Sequence, residues 1–256
     1  MISQTIHAER VLLLGWGRAL LLQFAHPAVA QGIVDHSEFL RDRRARWTRL
    51  RRTLDAMLAL TYGAPAQADA VARGINAVHD RVHGRVGDAP YSAHDPALLG
   101  WVHGTLVESF LLAYELYVAP LSPVDRDRYC AETAGIEPRL GIPDGQLPRR
   151  MDELSRYMRA MLDGPALTIT EPARQLAAEL FRPVPRAMLP AMWLARLPAV
   201  GLLPERLRSE YGFAWSPRHA LALRVSARGI RGALWFLPRP VRYWKAARNG
   251  ASRTTA

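Results

Sequence analysis

Four of the eight histidines in the chain, His79, His83, His94 and His103, lie in one short stretch, INAVHDRVHGRVGDAPYSAHDPALLGWVHGTL (residues 75–106). His79 and His83 are four residues apart, so they would share one face of a helix. A neutral imidazole can bind a metal ion or the iron of a haem, although an inward-facing histidine is more often a polar residue of the core. The stretch therefore permits three interpretations: a metal site, a cofactor ligand, or polar core residues.

Several other chemistries lack their sequence signatures. Helical zinc and di-iron proteins carry H-E-x-x-H or paired E-x-x-H motifs, whereas this chain has only a single Asp80-x-x-His83. Cys130 is the single cysteine, which excludes an internal disulfide and a cysteine-based zinc or iron–sulfur site. The sequence has no G-x-S-x-G motif and no glycine-rich phosphate loop. A nonhaem metal site, a serine hydrolase and a phosphate-binding protein are therefore disfavoured.

Apolar spacing predicts a helix over residues 67–85 with His79 on its buried face. The predicted buried stripe consists of Val71, Ile75, Val78 and Val82. His79 follows Ile75 by four residues, so it is expected to point inward as a haem ligand or as a core histidine. His83 lies nearer the helix end and could equally face solvent. His103 belongs to the apolar stripe of the next predicted helix, and His94 is expected in a loop.

A second group of candidates lies in the run RDRRARWTRLRRT (residues 41–53), which would ordinarily form a solvated helix face. Within it, Arg49, Arg52 and Thr53 are spaced i, i+3 and i+4. If that face turned inward, it would direct two cations and a hydroxyl to one point. Such a group could hold dioxygen or a haem propionate by charge-assisted hydrogen bonds.

The elements that must position these residues are predicted to be helices throughout. Apolar residues at helical spacing fill 67–85, 95–119, 148–163, 172–181 and 217–236, with no convincing strand pattern. Ser122-Pro123, Asp95-Pro96 and Thr170-Glu171-Pro172 have the sequence of helix starts. Proline and glycine mark loops at 86–94, 136–147, 163–168 and 183–190. We predict a single all-α domain over residues 1–256.

The N-terminal segment VLLLGWGRALLLQFAHPAVAQ (residues 11–31) has some features of a signal peptide, including Arg10 ahead of an apolar run. However, Arg18, Gln23 and His26 interrupt the run, and such insertions are costly in a bilayer. At 100° per residue the three fall within one sector of a helix, roughly 140° wide. The segment is therefore predicted to be a buried helix with a polar stripe.

The formal net charge is +11, and much of it lies at the C-terminus. From Pro217 onward there are nine basic residues and no acidic one. Trp235, Phe236, Tyr243 and Trp244 are interleaved with these basic residues, which favours peripheral contact of the basic C-terminus with a membrane surface over nucleic acid. Residues 238–256 are predicted to form a basic tail without fixed structure. A solvated basic end is the alternative. We predict a cytoplasmic, membrane-associated protein with no nucleic-acid partner.

Four fragments, in this order and spacing, together resemble one family: AHPAVAQGIVDHSEF, RLRRT, VHDRVHG and HDPALLGWVHGTLVESFLLAYELY. The chain is similar to the MpaB-type oxygenases and bacterial rubber oxygenases (latex-clearing proteins) over about residues 20–245. The resemblance implies an all-helical fold with a globin-like core that holds b-type haem. It also implies oxidative cleavage of an isoprenoid carbon–carbon double bond by O2.

The resemblance also implies roles for individual residues. His79, in the H-x-x-V-x-G segment, would be the haem iron ligand. Arg49, Arg52 and Thr53 match an R-x-x-K-T cluster in which Arg52 replaces a lysine. Arginine cannot lose its proton to ligate iron, so an open or water-bound distal side is expected. Asp35 is the nearest candidate for a catalytic carboxylate base.

From these observations we predict a haem b-dependent oxygenase that oxidises an apolar, isoprenoid-like alkene. His79 is the predicted iron ligand, and Arg52, His26 and His103 are the other predicted cofactor-binding residues. Arg49, Thr53 and Asp35 are the predicted catalytic residues. The alternative is a non-catalytic helical protein that holds haem or a lipid at a membrane surface.

Overall fold

The computed structural model describes residues 1–40, 43–182 and 189–251. These residues are predominantly helical, with one two-stranded hairpin, which confirms the all-α prediction. The α-helices are α1 (Ile2–Ala8), α2 (Leu13–Phe24), α3 (Pro27–His36), α4 (Arg43–Tyr62), α5 (Pro65–His79), α6 (Pro96–Tyr117), α7 (Pro123–Ala134), α8 (Glu137–Leu140), α9 (Met151–Asp163), α10 (Glu171–Leu180), α11 (Leu189–Gly201), α12 (Glu205–Glu210), α13 (Pro217–Leu234), α14 (Arg239–Arg242) and α15 (Lys245–Ala251). The strands are β1 (His83–Val86) and β2 (Ala89–Ser92), and 3-10 turns span Arg10–Leu12 and Glu38–Leu40. That these elements form a single domain stays a prediction.

All three helix starts read from the sequence are confirmed. The Asp95 carboxylate accepts the Ala97 N–H (2.8 Å) at the start of α6, and the Ser122 hydroxyl accepts the Asp125 N–H (3.1 Å) at the start of α7. The Thr170 hydroxyl accepts a longer bond from the Ala173 N–H (3.4 Å) before α10. Each cap is followed by proline in the first turn, where its missing N–H costs nothing.

The core is built around α2, which packs against α6 on one side and α11 on another. Two glycines of the GWG sequence allow this close packing. A Cβ atom at Gly15 would lie 2.7 Å from the Ala113 Cβ of α6, and one at Gly17 would lie 2.7 Å from the Ala199 Cβ of α11. Any larger residue would push the helices apart, so these glycines serve helix packing rather than phosphate binding.

The N-terminal apolar segment forms a buried helix, as predicted, and its polar residues meet polar residues of α6. The Arg18 guanidinium donates to the Glu108 carboxylate (2.6 Å), the Ser109 hydroxyl (2.8 Å) and the Leu202 carbonyl (2.7 Å). Gln23 donates to the Thr105 hydroxyl (3.1 Å). Because each buried donor finds an acceptor, α2 can carry a charge into the core. His26 lies beyond the helix, as the N-cap of α3.

The predicted helix over 67–85 is wrong beyond His79, where α5 ends and an antiparallel hairpin begins. The hairpin pairs His83 with Ser92 and Val86 with Ala89 around a tight turn at Gly87 (φ +57°). Gly84 allows the strands to close, because a Cβ there would lie 2.7 Å from the Tyr91 hydroxyl oxygen. His79 and His83 therefore do not share a helix face, and the predicted loop 86–94 contains β2.

The predicted buried stripe of α5 is also partly wrong. Val78 is 50% exposed, and the fully buried positions of the helix are Ala68 and Ala72. Small residues face inward here because α5 packs closely against α4 and α8. His79 follows Ala72 by seven residues, which is two turns, so it remains on the inward side of the helix.

The C-terminal segment does not form a free tail as far as Ala251, contrary to the prediction. The Arg242 guanidinium pairs with the buried Glu9 carboxylate (Nε–Oε1 3.0 Å). The backbone N–H of Trp244 donates to the backbone carbonyl of Ala8 (3.1 Å). The helix α15 then packs on α4 and α1. A buried carboxylate needs a partner, and the C-terminus provides it. Residues 252–256 of the predicted tail and 183–188 of the predicted loop lie outside the described residues.

One helix of the described chain, α6, is long and apolar enough to cross a membrane. Its apolar window is 56% buried inside the fold, and α6 contacts α2, α9, α13 and α7. A central core helix of a globular protein passes the same test of length and hydropathy. These contacts place α6 in the core beside α2.

Candidate functional site

His79 is the last residue of α5, and its imidazole is partly buried. The Nδ1 atom is buried and has no hydrogen-bond partner within the described residues. Burial lowers the pKa of His79, the nearby His94 lowers it further, and Asp80 opposes the shift. The ring is therefore neutral at pH 7, which is the form that coordinates iron.

His94 lies in the turn between β2 and α6, as predicted, and directly beside His79. The His94 Nε2–H donates to the Asp80 carboxylate (2.8 Å), and the His94 ring meets the His79 ring edge-on at 5.7 Å between centroids. The hairpin brings the two histidines together, since His94 follows β2 and Asp80 follows α5. His94 already has a carboxylate partner at Nε2, which makes His79 the better candidate ligand.

The hairpin is held against α3 by two contacts. His36 of α3 donates its Nε2–H to the His83 carbonyl (3.0 Å), and the Tyr91 hydroxyl donates to the Asp35 carboxylate (2.7 Å). The His83 side chain is exposed. Within the described ranges no three His, Cys, Asp or Glu side chains converge as a metal-binding group.

Asp35 has a partner on each carboxylate oxygen. Gln31 donates to Oδ1 (2.7 Å) and Tyr91 donates to Oδ2. The pKa of the Tyr91 phenol is raised, first by burial and then by this hydrogen bond to Asp35. The geometry favours Asp35 as an anchor of the hairpin, and its predicted role as a catalytic base stays a prediction.

The three α4 candidates lie on an accessible face of that helix. Arg49, Arg52 and Thr53 all have solvent-accessible side chains, and the Thr53 hydroxyl donates to the Arg49 carbonyl (3.0 Å). Desolvation nevertheless lowers the pKa of Arg49. The three side chains therefore lie on an exposed face of α4, and nearby protein partly desolvates the Arg49 guanidinium.

Helix geometry places Arg49 and His79 at similar heights on adjacent helices. The helices α4 and α5 pack against each other and are joined by only Gly63 and Ala64. At 1.5 Å per residue, Arg49 lies roughly 20 Å before the end of α4 and His79 roughly 20 Å beyond the start of α5. Arg49 and the imidazole of His79 therefore lie toward the same end of this helix pair.

Two further histidines are enclosed by the core. Burial lowers the pKa of His103 on α6 to about 4 and that of His7 on α1 to about 4. His7 lies between the Thr61 hydroxyl (3.0 Å from Nδ1) and the Tyr129 hydroxyl (2.7 Å from Nε2). The Thr61 hydroxyl donates to the Met57 carbonyl, so it accepts from His7. Both rings are neutral at pH 7, and His7 has a fixed tautomer.

Sequence patterns did not identify His7, because α1 is only seven residues long and gives little periodic signal. The inward position predicted for His103 agrees with its enclosure. His26, at the start of α3, resembles His79: its Nδ1 is buried without a partner among the described residues. Burial lowers the pKa of His26, against an opposing effect of Asp95.

The fold and the site together define a predominantly helical protein with several neutral imidazoles and with arginines on the exposed face of α4. Residues 4–232 match the family described as "ER-bound oxygenase mpaB/B'/Rubber oxygenase, catalytic domain". The chain belongs to this family of oxygenases. The match begins earlier and ends earlier than the predicted span of 20–245. No curated protein and no solved structure matches the chain.

The residues present fit the haem that the family resemblance implies. Haem needs one neutral imidazole in a partly apolar setting, and His79 supplies it with an Nδ1 atom that has no protein partner. Arginines can pair with propionates, and Arg49 and Arg52 lie one turn apart on the exposed face of α4. A globin-like core, haem binding and the cytoplasmic, membrane-associated location all stay predictions.

Proposed function

We propose that this oxygenase is haem b-dependent and that it uses O2 to cleave an apolar, isoprenoid-like alkene. The observation that supports it best is the partly buried, neutral His79 imidazole, whose buried Nδ1 has no partner among the described residues of an oxygenase-family chain. An unpaired buried polar atom is costly unless something satisfies it, and a bound cofactor would fix the ring's orientation and tautomer.

His79 would hold the haem iron, which when bound supplies the centre at which O2 is activated. Arg49 would direct its fixed positive charge to oxygen atoms that become negative during the reaction. Arg52 and the other enclosed imidazoles, His26 and His103, would contact the cofactor or its propionates.

The Thr53 hydroxyl is less available as a hydrogen-bond donor than its position in the sequence indicates. Its hydroxyl proton is used in the bond to the Arg49 carbonyl, so its lone pairs can accept a hydrogen bond. It can donate to an oxygen species only by giving up that bond. We therefore propose that Thr53 acts chiefly by fixing the backbone and orientation of Arg49, and that Arg49 is the main charge-stabilising group.

Arg52 stands where the family resemblance would have a lysine. A guanidinium keeps its proton and cannot coordinate iron, so Arg52 would not compete with O2 or water for the iron. In the proposed reaction the carbon–carbon double bond breaks, and each carbon takes one oxygen atom of O2. Two carbonyl products form, and no external reductant is consumed.

The test begins with the ultraviolet–visible spectrum and haem content of the purified protein. We then expect O2 consumption with a panel of prenyl-chain alkenes, and two carbonyl fragments for each O2 consumed. Saturated analogues of the same chains are the matched control and should consume none. Protein that binds haem but consumes no O2 with any alkene would support the carrier alternative, and protein without a Soret band would refute haem dependence.

A further inference from the structure

The helix α13 has two apolar faces, of which one is buried and one is exposed. Leu223, Ala227 and Leu234 are buried against α6 and α11. Leu221 and Val225 are 55% and 56% exposed, and at 100° per residue they lie roughly opposite the buried positions. A helix on the surface of a globular protein normally exposes a polar face, so this second apolar stripe needs an apolar partner.

The exposed stripe continues into the turn that follows α13. Trp235 is 83% exposed and Phe236 is 88% exposed, and Leu237 and Val241 are also exposed. Two adjacent large aromatic side chains that project almost fully from a surface form an apolar protrusion rather than a groove. Aromatic residues of this kind are favoured at the boundary between lipid headgroups and acyl chains.

Arginines share the outward side of α13 with these apolar residues. Arg218, Arg224 and Arg228 are exposed, and within the described part of the chain none of the three forms an ion pair. Arg239 lies beyond the aromatic protrusion, and no Asp or Glu occurs from Pro217 onward. The surface thus combines an apolar centre with positive charge and no local negative charge.

We propose that this surface, formed by the outward face of α13 and residues 235–237, docks on an anionic phospholipid bilayer. Trp235 and Phe236 would enter the acyl-chain boundary, and Arg218, Arg224 and Arg228 would contact anionic headgroups. Charge complementarity selects this partner, because the exposed arginines match lipid phosphates while the apolar side chains leave water. The contact does not depend on haem or on turnover.

Two other occupants fit the surface less well. A second copy of the chain would place the arginines of one α13 against those of the other, without acidic residues to compensate. Nucleic acid would use the arginines, but it would leave most of the Leu221 and Val225 stripe exposed. The predicted membrane contact therefore moves from a free tail to α13 and its following turn.

The experiment is co-sedimentation of the full chain with vesicles of phosphatidylcholine alone, and with vesicles containing about one-third phosphatidylserine. We expect binding to the anionic vesicles that weakens with salt. The double variant Trp235→Ser/Phe236→Ser should bind at least roughly tenfold more weakly. The double variant Arg224→Gln/Arg228→Gln should lose the preference for anionic lipid. The control Trp47→Ser/Arg51→Gln alters an exposed tryptophan and an exposed arginine on α4 and should bind as wild type does.

A second measurement reports position rather than affinity. Lipids brominated on their acyl chains should quench the wild-type tryptophan fluorescence, and Trp235→Phe, which keeps an aromatic side chain, should remove most of that quenching. The proposal is overturned if the aromatic double variant binds as wild type does, or if the control loses as much binding. Salt-sensitive binding to DNA without vesicle binding, or a dimer that the aromatic variant dissociates, would overturn it as well.

Discussion

His94 and Asp80 form a hydrogen bond of 2.8 Å directly beside the His79 ring. Asp80 follows α5 and His94 precedes α6, so the bond closes the base of the hairpin that separates them. The bond occupies Nε2 of His94, so that of these two adjacent rings His79 is the one with an unpartnered buried nitrogen among the described residues. The hairpin therefore determines which of two adjacent histidines is free to bind a cofactor.

His79→Ala should abolish stoichiometric haem binding, because it removes the proposed iron ligand. His83→Ala is the matched control: the side chain is exposed and only its backbone carbonyl takes part in a hydrogen bond, so haem content should be unchanged. The measurement is the Soret absorbance per protein chain after purification with added haemin. A normal Soret band in His79→Ala would contradict the assignment.

Arg49→Ala should lower O2-dependent turnover roughly a hundredfold while haem content stays near wild type, since it removes a preorganised charge. Thr53→Val should cause a smaller loss, because the hydroxyl acts mainly through the Arg49 backbone. Arg51→Ala, on an exposed part of the same helix, is the control. Turnover, haem content and melting temperature should be measured on the same preparations. Equal activity in Arg49→Ala and wild type would remove Arg49 from the site.

The Asp35→Asn variant distinguishes a role of Asp35 as an anchor of the hairpin from a role as the catalytic base. An amide oxygen can still accept the Tyr91 hydrogen bond, so we expect turnover within a few-fold of wild type. Asp35→Ala removes the acceptor and should loosen the hairpin, which would be seen as weaker haem retention. A loss of roughly a hundredfold or more in Asp35→Asn, with haem retained, would instead identify Asp35 as a base.

Stability should fall as the pH drops from about 6.5 toward 4. Burial lowers the pKa of both His7 and His103 to about 4, whereas the unfolded chain takes up these protons near 6.5. As the pH falls, the unfolded chain therefore takes up these two protons before the folded protein does. This preference for the unfolded state lowers the free energy of unfolding by about 3 kcal/mol for each histidine across this pH range. Urea unfolding at several pH values tests this. The His103→Leu variant should lose less stability on acidification, and an unchanged pH dependence would contradict the prediction.

Arg18→Met should destabilise the protein by about 3–5 kcal/mol, because Glu108 would keep a mostly buried charge without its partner. Arg51→Met is the control, since the Arg51–Asp55 pair is exposed and 3.8 Å apart, and it should change stability by less than about 0.5 kcal/mol. Urea midpoints provide the comparison. Similar midpoints for both variants would show that the α2–α6 polar contact contributes little.

The sequence by itself determined the features that depend on neighbouring residues. The helix caps at Asp95, Ser122 and Thr170 could be predicted from the sequence, because capping joins residues two or three positions apart. The start and end of the helices predicted at 95–119, 148–163, 172–181 and 217–236 agree with the structure within three residues. The family could also be recognised from the sequence, because its motifs are local and occur in a fixed order.

Only the tertiary structure decided where α5 ends and which groups meet across the core. The period of the apolar residues continued past His79, but packing of Tyr91 against Gly84 and Gly32 favours a hairpin there. The partners of Arg18 lie 90, 91 and 184 residues away, and Glu9 is paired with Arg242 at the other end of the chain. Such contacts leave no local pattern, because each depends on how distant helices pack rather than on the residues beside it.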